Sequence, residues 1–406
     1  MTATPHLPLT PGALQGLRVI EMGQLIAGPF AGKTLGDFGA DVIKIEPPAG
    51  GDPLRTWRTP EGETSVWWHV QSRNKRSLAL DLKHPEGQAL VRRLAAEADV
   101  VIENFRPGTL EGWGLDFETL SRLNPRLIML RISGYGQTGP MRDQPGFGVI
   151  AEAMGGLRHI TGEPGRAPVR PAISIGDSLS ALHGVIGLLM ALYHRDVRGG
   201  QGQMVDVALY ESVFNMMEGA VPEFDRFAMV RQPAGSTLPG VAPTNAYPCA
   251  DGQFVLIAGN GDSIYRRLMT LVGRDDLGSA PELASNPGRV KAMTVIDEAI
   301  AAWTRQRSLT EALQALADAK VPAGRVFTVA DMVDHPQFLA REMVREVSLP
   351  DGSTLRVPGI APKLSATPGQ INSLGPELGQ HTTEILRAAG LSEEDVRRLH
   401  DAAVIA

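Results

Sequence analysis

The chain has 406 residues, of which 43% are hydrophobic and 21% charged, a balance that supports a large buried core in a soluble globular protein. A net charge of −6 argues against general nucleic-acid affinity, and a single cysteine, Cys249, excludes a disulfide framework or a thiolate metal cluster within one chain. Aromatic residues are only 5%, against 45 glycines and 30 prolines, which favours an α/β enzyme with many tight turns over an aromatic-rich binding module.

Met1–Pro11 lacks the basic and apolar regions of a signal peptide, so the cytoplasm is the expected compartment. Leu17–Met22 reads as a strand and Ala27–Gly39 as a helix, with Pro29 suited to the first turn and Gly39 to the stop. Asp41–Ile45 is the next strand. The turn between them carries no Gly-x-Gly-x-x-Gly, so no dinucleotide site is indicated. Ser77–Leu82 alternates like a strand, Pro85–Glu97 is an amphipathic helix, and Asp99–Glu103 is a strand that ends in Asn104-Phe105-Arg106-Pro107. Arg126–Ile132 is another strand. Short apolar strands alternating with helices predict an α/β fold with a parallel, helix-covered sheet. Gly134-Tyr-Gly136-Gln-Thr-Gly139 matches the dinucleotide pattern, but Pro140 and Pro145 follow and no helix opens. A loop lining a pocket fits it better.

The chain turns on Pro171–Ser178. Ala172–Ile175 reads as a buried strand, broken by Gly176, with Asp177 and Ser178 as N-cap residues of a buried helix over Leu179–His194. Capping alone explains an Asp there, but the two roles are compatible. A helix N-terminus favours the anion, and an ionised carboxylate attacks without a base. The longest strongly apolar segment, near 181–193, is shorter than the roughly 20 residues of a membrane span, so no membrane association is expected. Gln203–Ala208 is a strand and Leu209–Ala228 a helix. Val230–Pro248 is rich in Gly, Pro, Ser and Thr. Gln253–Ala258 starts a new strand, followed by helices near 263–272, 289–306 and 309–319. The tail holds a hairpin, Arg345–Leu349 and Thr354–Val357 around Asp351-Gly352, and helices near 381–389 and 392–404. The expected division is 1–228 for the first part of a large domain, 229–252 for a linker, 253–325 for a small α/β domain and 326–406 for a segment returning to the large one.

The nine histidines form no metal-ligand spacing, and Gly-x-Ser-x-Gly and Walker A are both absent. His183, inside the apolar helix, is more simply a hydrogen-bonded core residue than a catalytic one. Trp67-Trp68-His69 suits a core. Asn74-Lys75-Arg76-Ser77 and Lys83 form a basic cluster that is either a solvated rim or a phosphate-binding edge. The residues alone lead to a two-domain α/β enzyme with Asp177 as the best single candidate.

Taken together, the motifs resemble the family III CoA-transferases, the group that includes formyl-CoA transferase and the carnitine CoA-transferases. The resemblance runs from about Leu14 to the C-terminus. It rests on Leu14–Ile20, Ala27-Gly28-Pro29, Gly39–Pro47, Asn74–Ser77, Leu80–Lys83, Val101–Gly108, Gly134–Pro140, Ala153–Gly156, Gly176-Asp177-Ser178, Val321–Gly324 and Leu378–Thr382, in order and at family spacing. It implies a large Rossmann-like domain and a smaller α/β domain in a ring-shaped monomer, two of which interlink as a homodimer. It also implies that Asp177 is the nucleophile. Asp177 would attack an acyl-CoA thioester to give a mixed anhydride, then carry CoA as an aspartyl thioester to a carboxylic acid acceptor. No tightly bound cofactor is implied; CoA and acyl-CoA are substrates.

By the same resemblance the turn Gln24–Gly28 supplies oxyanion donors, and Ile26 and Ala27 contact CoA. Leu80, Asp81, Leu82 and Lys83 hold its nucleotide, with Lys83 on a phosphate, and Asn104, Phe105 and Arg106 contact it from the next strand end. Two basic nucleotide contacts of formyl-CoA transferase are replaced here by Pro47 and Gly112, and its glycine-rich lid has no clear counterpart in Gly235–Gly240. The family points to a small dicarboxylate or short acid as acceptor, and Arg158 and Arg170 flank the site in sequence as candidate readers of a second carboxylate. Two rival functions follow. A 2-methylacyl-CoA racemase needs a proton-transferring His where this chain has Phe147. A non-catalytic CoA-binding scaffold would have no need of Asp177.

Overall fold

The computed structural model describes residues 12–349 and 351–406; Met1–Pro11, read above for a leader, lies outside them. Short β-branched and aliphatic runs form six strands: Arg18–Glu21 (β1), Asp41–Glu46 (β2), Lys75–Ala79 (β3), Val100–Glu103 (β4), Ile128–Ser133 (β5) and Met204–Ala208 (β6). They pair in parallel in the order β3-β2-β1-β4-β5-β6. The order reverses between β1 and β4, as in the doubly wound nucleotide-binding folds.

Side chains alternate between the two faces of this sheet. Ile20, Ile43, Leu78, Val101 and Met129 pack against Leu90, Val91 and Leu94 of helix Pro85–Ala95 (α1). Val19, Val42, Ile102 and Leu130 face Ala31 and Leu35 of helix Ala27–Asp37 (α2) and Ala181, Val185 and Leu188 of helix Ile175–Val197 (α3). Each large aliphatic side chain fully buried in this way contributes about 1.5–3 kcal/mol.

The chain forms two compact units. The first runs to Arg158 and includes Pro171–Arg226 and Arg341–Ala406; the second comprises His159–Arg170 and Phe227–Ala340. The second unit has its own core, with Tyr247, Val255, Ile257, Leu268, Ile296, Ile300 and Leu316 buried between helices and an antiparallel sheet of Thr244–Pro248, Phe254–Ala258 and Ala323–Arg325. The division differs from the expected one. Thr244–Pro248 lies in the stretch read as linker, yet it pairs with Phe254–Ala258. The helices Val329–Met332 and Pro336–Ala340 stay with the second unit, so the return begins at Arg341 rather than 326.

Three local expectations are corrected. Residues 172–174 form no strand, because the helix already starts at Ile175 and runs 23 residues. The expected strand Ser77–Leu82 lies at Lys75–Ala79, and Leu80 instead bridges to Ile405. The expected helix Leu209–Ala228 breaks into Leu209–Phe214 and Ala220–Phe227, on either side of a bend where Glu218 has φ +51°. Nor is α3 buried all round. Gly184, Val185 and Leu188 face inward, while Ile186, Met190, Tyr193 and Val197 are half or more exposed. By length and composition α3 could cross a membrane, so the argument from a short apolar segment does not hold; its inner face is packed on β5, β6 and α2.

Candidate active site

At the carboxyl edge of the sheet the chain leaves β1 through Met22–Ile26 and β4 through Asn104–Pro107. These turns part in opposite directions, and the crevice between them is where ligands bind in such folds. A cavity of about 250 Å³ opens there, lined by Gln24–Ala27, Asn104–Pro107, Ile132–Gly134, Arg142, Gln144, Gly146, Phe147, Asp177 and Leu209. A larger one, about 600 Å³, is lined by Pro47–Ala49, Leu80–Lys83 and Trp113 and shares Gln24 and Phe105 with the first. The two are adjoining parts of one edge.

Asp177 reaches the smaller cavity from the first turn of α3 rather than from a strand end or an N-cap. The first-turn N–H groups of a helix favour a negative charge there. The half-buried carboxylate is packed against Gly148, where a Cβ would overlap Oδ2. A side chain at position 148 would therefore displace the carboxylate.

Opposite features hold the turn after β1. Asn104 accepts a hydrogen bond from the Gln24 N–H at 2.8 Å and donates one to the Gln24 carbonyl at 2.9 Å. Gly23 and Gly28 approach within 3.1 Å of each other's added Cβ position, which lets the Asn104 side chain nest beside them. Leu25 has φ +64°, a left-handed backbone that costs a non-glycine residue about 1–2 kcal/mol. Its N–H is held by both oxygens of Asp52, at 3.0 and 3.2 Å. Asp52 is in turn paired with buried Lys44 at 2.8 Å, and Lys44 with Glu21 at 3.0 Å. Lys75 closes the chain on Glu21 at 2.7 Å. Burial alone would raise the Asp52 carboxyl, but Lys44 and the Leu54 and Leu25 N–H groups hold it below its ordinary value. The turn so fixed leads into α2, whose N-terminal residues Ile26 and Ala27 line the cavity. Across the crevice, Glu103 accepts from the Phe105 N–H at 2.7 Å and from Arg131 at 2.6 Å, which fixes the second turn.

The structure brings Asp177, Ile26, Ala27, Asn104, Phe105 and Arg106 together around the smaller cavity, and Leu80, Asp81, Leu82, Lys83 and Phe105 around the larger. It separates others. Asn74 binds Asp37, Lys75 binds Glu21, and Arg76 binds Asp41 and Glu384, so the basic cluster braces the sheet, and of it only Lys83 lines either of the two cavities at this edge. Trp68 is buried with its Nε1 on the Pro376 carbonyl. His183 bonds the Leu179 carbonyl of its own helix. Arg158 and Arg170 do not line the Asp177 cavity; its guanidinium groups are Arg106 and Arg142. The sequence reading missed Asp52, Lys44, Arg142 and Gln144. A signal for the buried network was present: three strands end in Glu, at Glu21, Glu46 and Glu103, and all three are buried.

The chain matches known proteins along almost its whole length. A family model described as CoA-transferase family III matches residues 14–382. The succinyl-CoA–D-citramalate CoA-transferase of Chloroflexus aurantiacus is 48% identical over 398 residues, covering 97% of this chain and 98% of that protein. The beta subunit of the succinyl-CoA–L-malate CoA-transferase of the same organism is 42% identical, with coverage of 97% and 98%. Among solved structures, a CaiB/BaiF family protein from Brucella suis superposes with a TM-score of 0.81 at 35% identity, covering 93% of this chain and 100% of that one.

Proposed function

Because the chain belongs to CoA-transferase family III, we propose that it moves CoA from succinyl-CoA or a similar acyl-CoA to a small dicarboxylic acid, with Asp177 as the covalent carrier. The observation that carries this reading is the placement of Asp177 in a cavity beside the N-terminal turn of α2, next to a larger cavity edged by Lys83. The acids in the names of the relatives, citramalate and malate, are both dicarboxylates.

The steps balance without an external acid or base. The Asp177 carboxylate attacks the thioester carbonyl, and the C–S bond breaks to give an acyl-aspartyl anhydride and CoA thiolate. The thiolate attacks the aspartyl carbonyl and releases the donor as a free carboxylate, leaving aspartyl-CoA. The acceptor carboxylate attacks that thioester, giving a new anhydride and the thiolate. The thiolate then attacks the acceptor carbonyl, so the acceptor leaves as its CoA ester and Asp177 is regenerated. Each tetrahedral oxyanion needs preorganised donors, worth about 2.7–4 kcal/mol apiece in related chemistry. The backbone N–H groups of Ile26 and Ala27 are assigned this role, and Asn104 and Asp52 keep them aimed. Leu80–Lys83, with Phe105 and Arg106, are assigned to CoA.

No tightly bound cofactor enters this scheme. We also propose an interlinked homodimer and a cytoplasmic location; the exposed apolar face of α3 supports the first and the lone cysteine the second. The racemase reading is disfavoured because Phe147, at the matching place, lines the cavity without a group that moves a proton. Initial rates with succinyl-CoA and a panel of dicarboxylates test the proposal. Parallel double-reciprocal lines, abolished in Asp177→Asn, are expected. Deuterium uptake at the α-carbon of a 2-methylacyl-CoA, without CoA transfer, would refute it.

A further inference from the structure

The cavity around Asp177 contains two cationic side chains, and their surroundings differ. Arg106 follows Phe105, which is shared with the larger cavity bounded by Lys83, so it lies on the CoA side. Arg142 lines only the smaller cavity, in the loop between β5 and the helix Gly148–Met154. Its Nε is buried and makes no hydrogen bond, while the side chain as a whole is 43% exposed. Nε is paired with Asp143 at 3.3 Å, an acid whose side chain is 83% exposed. Gln144, two residues on, lines the same cavity with an amide. The fully buried arginines of this unit are instead paired with carboxylates, while Arg158, like Arg142, has a buried Nε without a hydrogen bond. Arg73 grips Asp37, Arg55 grips Glu46, and Arg131 grips Glu103 and Glu111. An arginine with open donors in a cavity beside a carboxylate nucleophile calls for an anionic group on the ligand.

We propose that Arg142, assisted by Gln144, binds the distal carboxylate of the dicarboxylate while the near carboxylate reacts at Asp177. The proposal rests on the transferase reading above and extends it to the residue that selects diacids over monoacids. The same contact serves donor and acceptor in turn, because a succinyl group and a free diacid carry the same distal charge. The loop is held in place for this task. Gly134 and Gly146 pack Cα against Cα, so that a Cβ on Gly134 would come within 2.9 Å of Gly146, and Gln137 N–H is tied to Asp206 at 2.9 Å.

The test compares the wild-type enzyme with Arg142→Gln and Arg142→Lys. For each, kcat/KM is measured for succinate and for butyrate as acceptors, together with inhibition by free CoA and adduct formation at saturating succinyl-CoA. Loss of a charged hydrogen-bonded contact corresponds to roughly a ten- to hundredfold effect. The expected result is that the succinate-to-butyrate ratio of kcat/KM falls by at least about tenfold in Arg142→Gln and is partly restored in Arg142→Lys, with the CoA inhibition constant changed less than threefold. A ratio that stays at the wild-type value overturns the proposal, as does a parallel loss of CoA affinity, which would assign Arg142 to a phosphate of CoA. Adduct formation keeps the two readings apart. If wild-type protein forms the Asp177 adduct and Arg142→Gln discriminates as before, only this inference fails. If wild-type protein forms none and transfers no CoA, the transferase reading fails and this inference with it.

Discussion

Gly148 carries no side chain, and the space a Cβ would take is occupied by the Asp177 carboxylate. Gly148→Ala should therefore push that carboxylate from its place. It should cut the rate of adduct formation at least about tenfold while the protein keeps its fold, since the close contact is to one side chain at a cavity edge. Single-turnover kinetics with circular dichroism checks both halves. Lys83 is a second case at this scale. It faces the larger cavity, and on the CoA assignment Lys83→Met should raise the KM for acyl-CoA roughly tenfold, leaving the KM for the free acid near its wild-type value. An equal rise in both would place Lys83 elsewhere in the reaction. Asp177 and Lys83 were legible as residues because each sits in a short motif with a chemical reading. Arg142 was not, because nothing local marks which arginine will line the cavity beside Asp177; that is a property of the folded surroundings.

The turn after β1 shows what an element contributes. A left-handed Leu25 is held by Asp52, which is held by Lys44, which is shared with Glu21. This chain of buried charges crosses three strands and ends on the N-terminus of α2. Replacing one partner strands the other in the core, so Asp52→Asn should destabilise the protein by roughly 3 kcal/mol, read by urea unfolding. The pH dependence has a defined sign. Asp52 and Glu46 are both depressed below their ordinary values of 3.8 and 4.5, against the effect of their burial, by Lys44 on the first and Arg55 on the second. Groups of this kind add stability above those ordinary values and lose it as the pH falls through the lower folded ones. The melting temperature should therefore drop between about pH 5 and pH 3, and the Asp52→Asn variant should show a shallower drop. The strands and their alternation with helices followed from hydrophobic period, but the beginning of α3 did not. Pro171 and Gly176 look like strand punctuation, whereas the turn of helix at Ile175 is set by packing against the helix Gly148–Met154 and by Glu152, whose side chain sits beside Gly176.

At the scale of the molecule, the outer face of α3 is the feature left over. Met190, Tyr193 and Val197 are 68%, 58% and 62% exposed, and Ile186 is 50% exposed. Contiguous apolar surface of this kind marks an association site. If the homodimer proposal is right, light scattering should give twice the mass of one chain at micromolar concentration, and Tyr193→Asp with Met190→Asp should lower it. A monomer at high concentration would contradict it. Two domains were expected from the residues alone, whereas the assignment of His159–Arg170 to the second unit depends on contacts between segments far apart in sequence.

On the proposed mechanism Asp177 carries CoA covalently. Intact-protein mass spectrometry after mixing with succinyl-CoA, with hydroxylamine as a trap and Asp177→Asn as control, tests it most directly. The expected result is an adduct that maps to Asp177 and is missing from the variant. An adduct that persists in Asp177→Asn, or CoA transfer by wild-type protein with none trapped from any acyl-CoA, would contradict it.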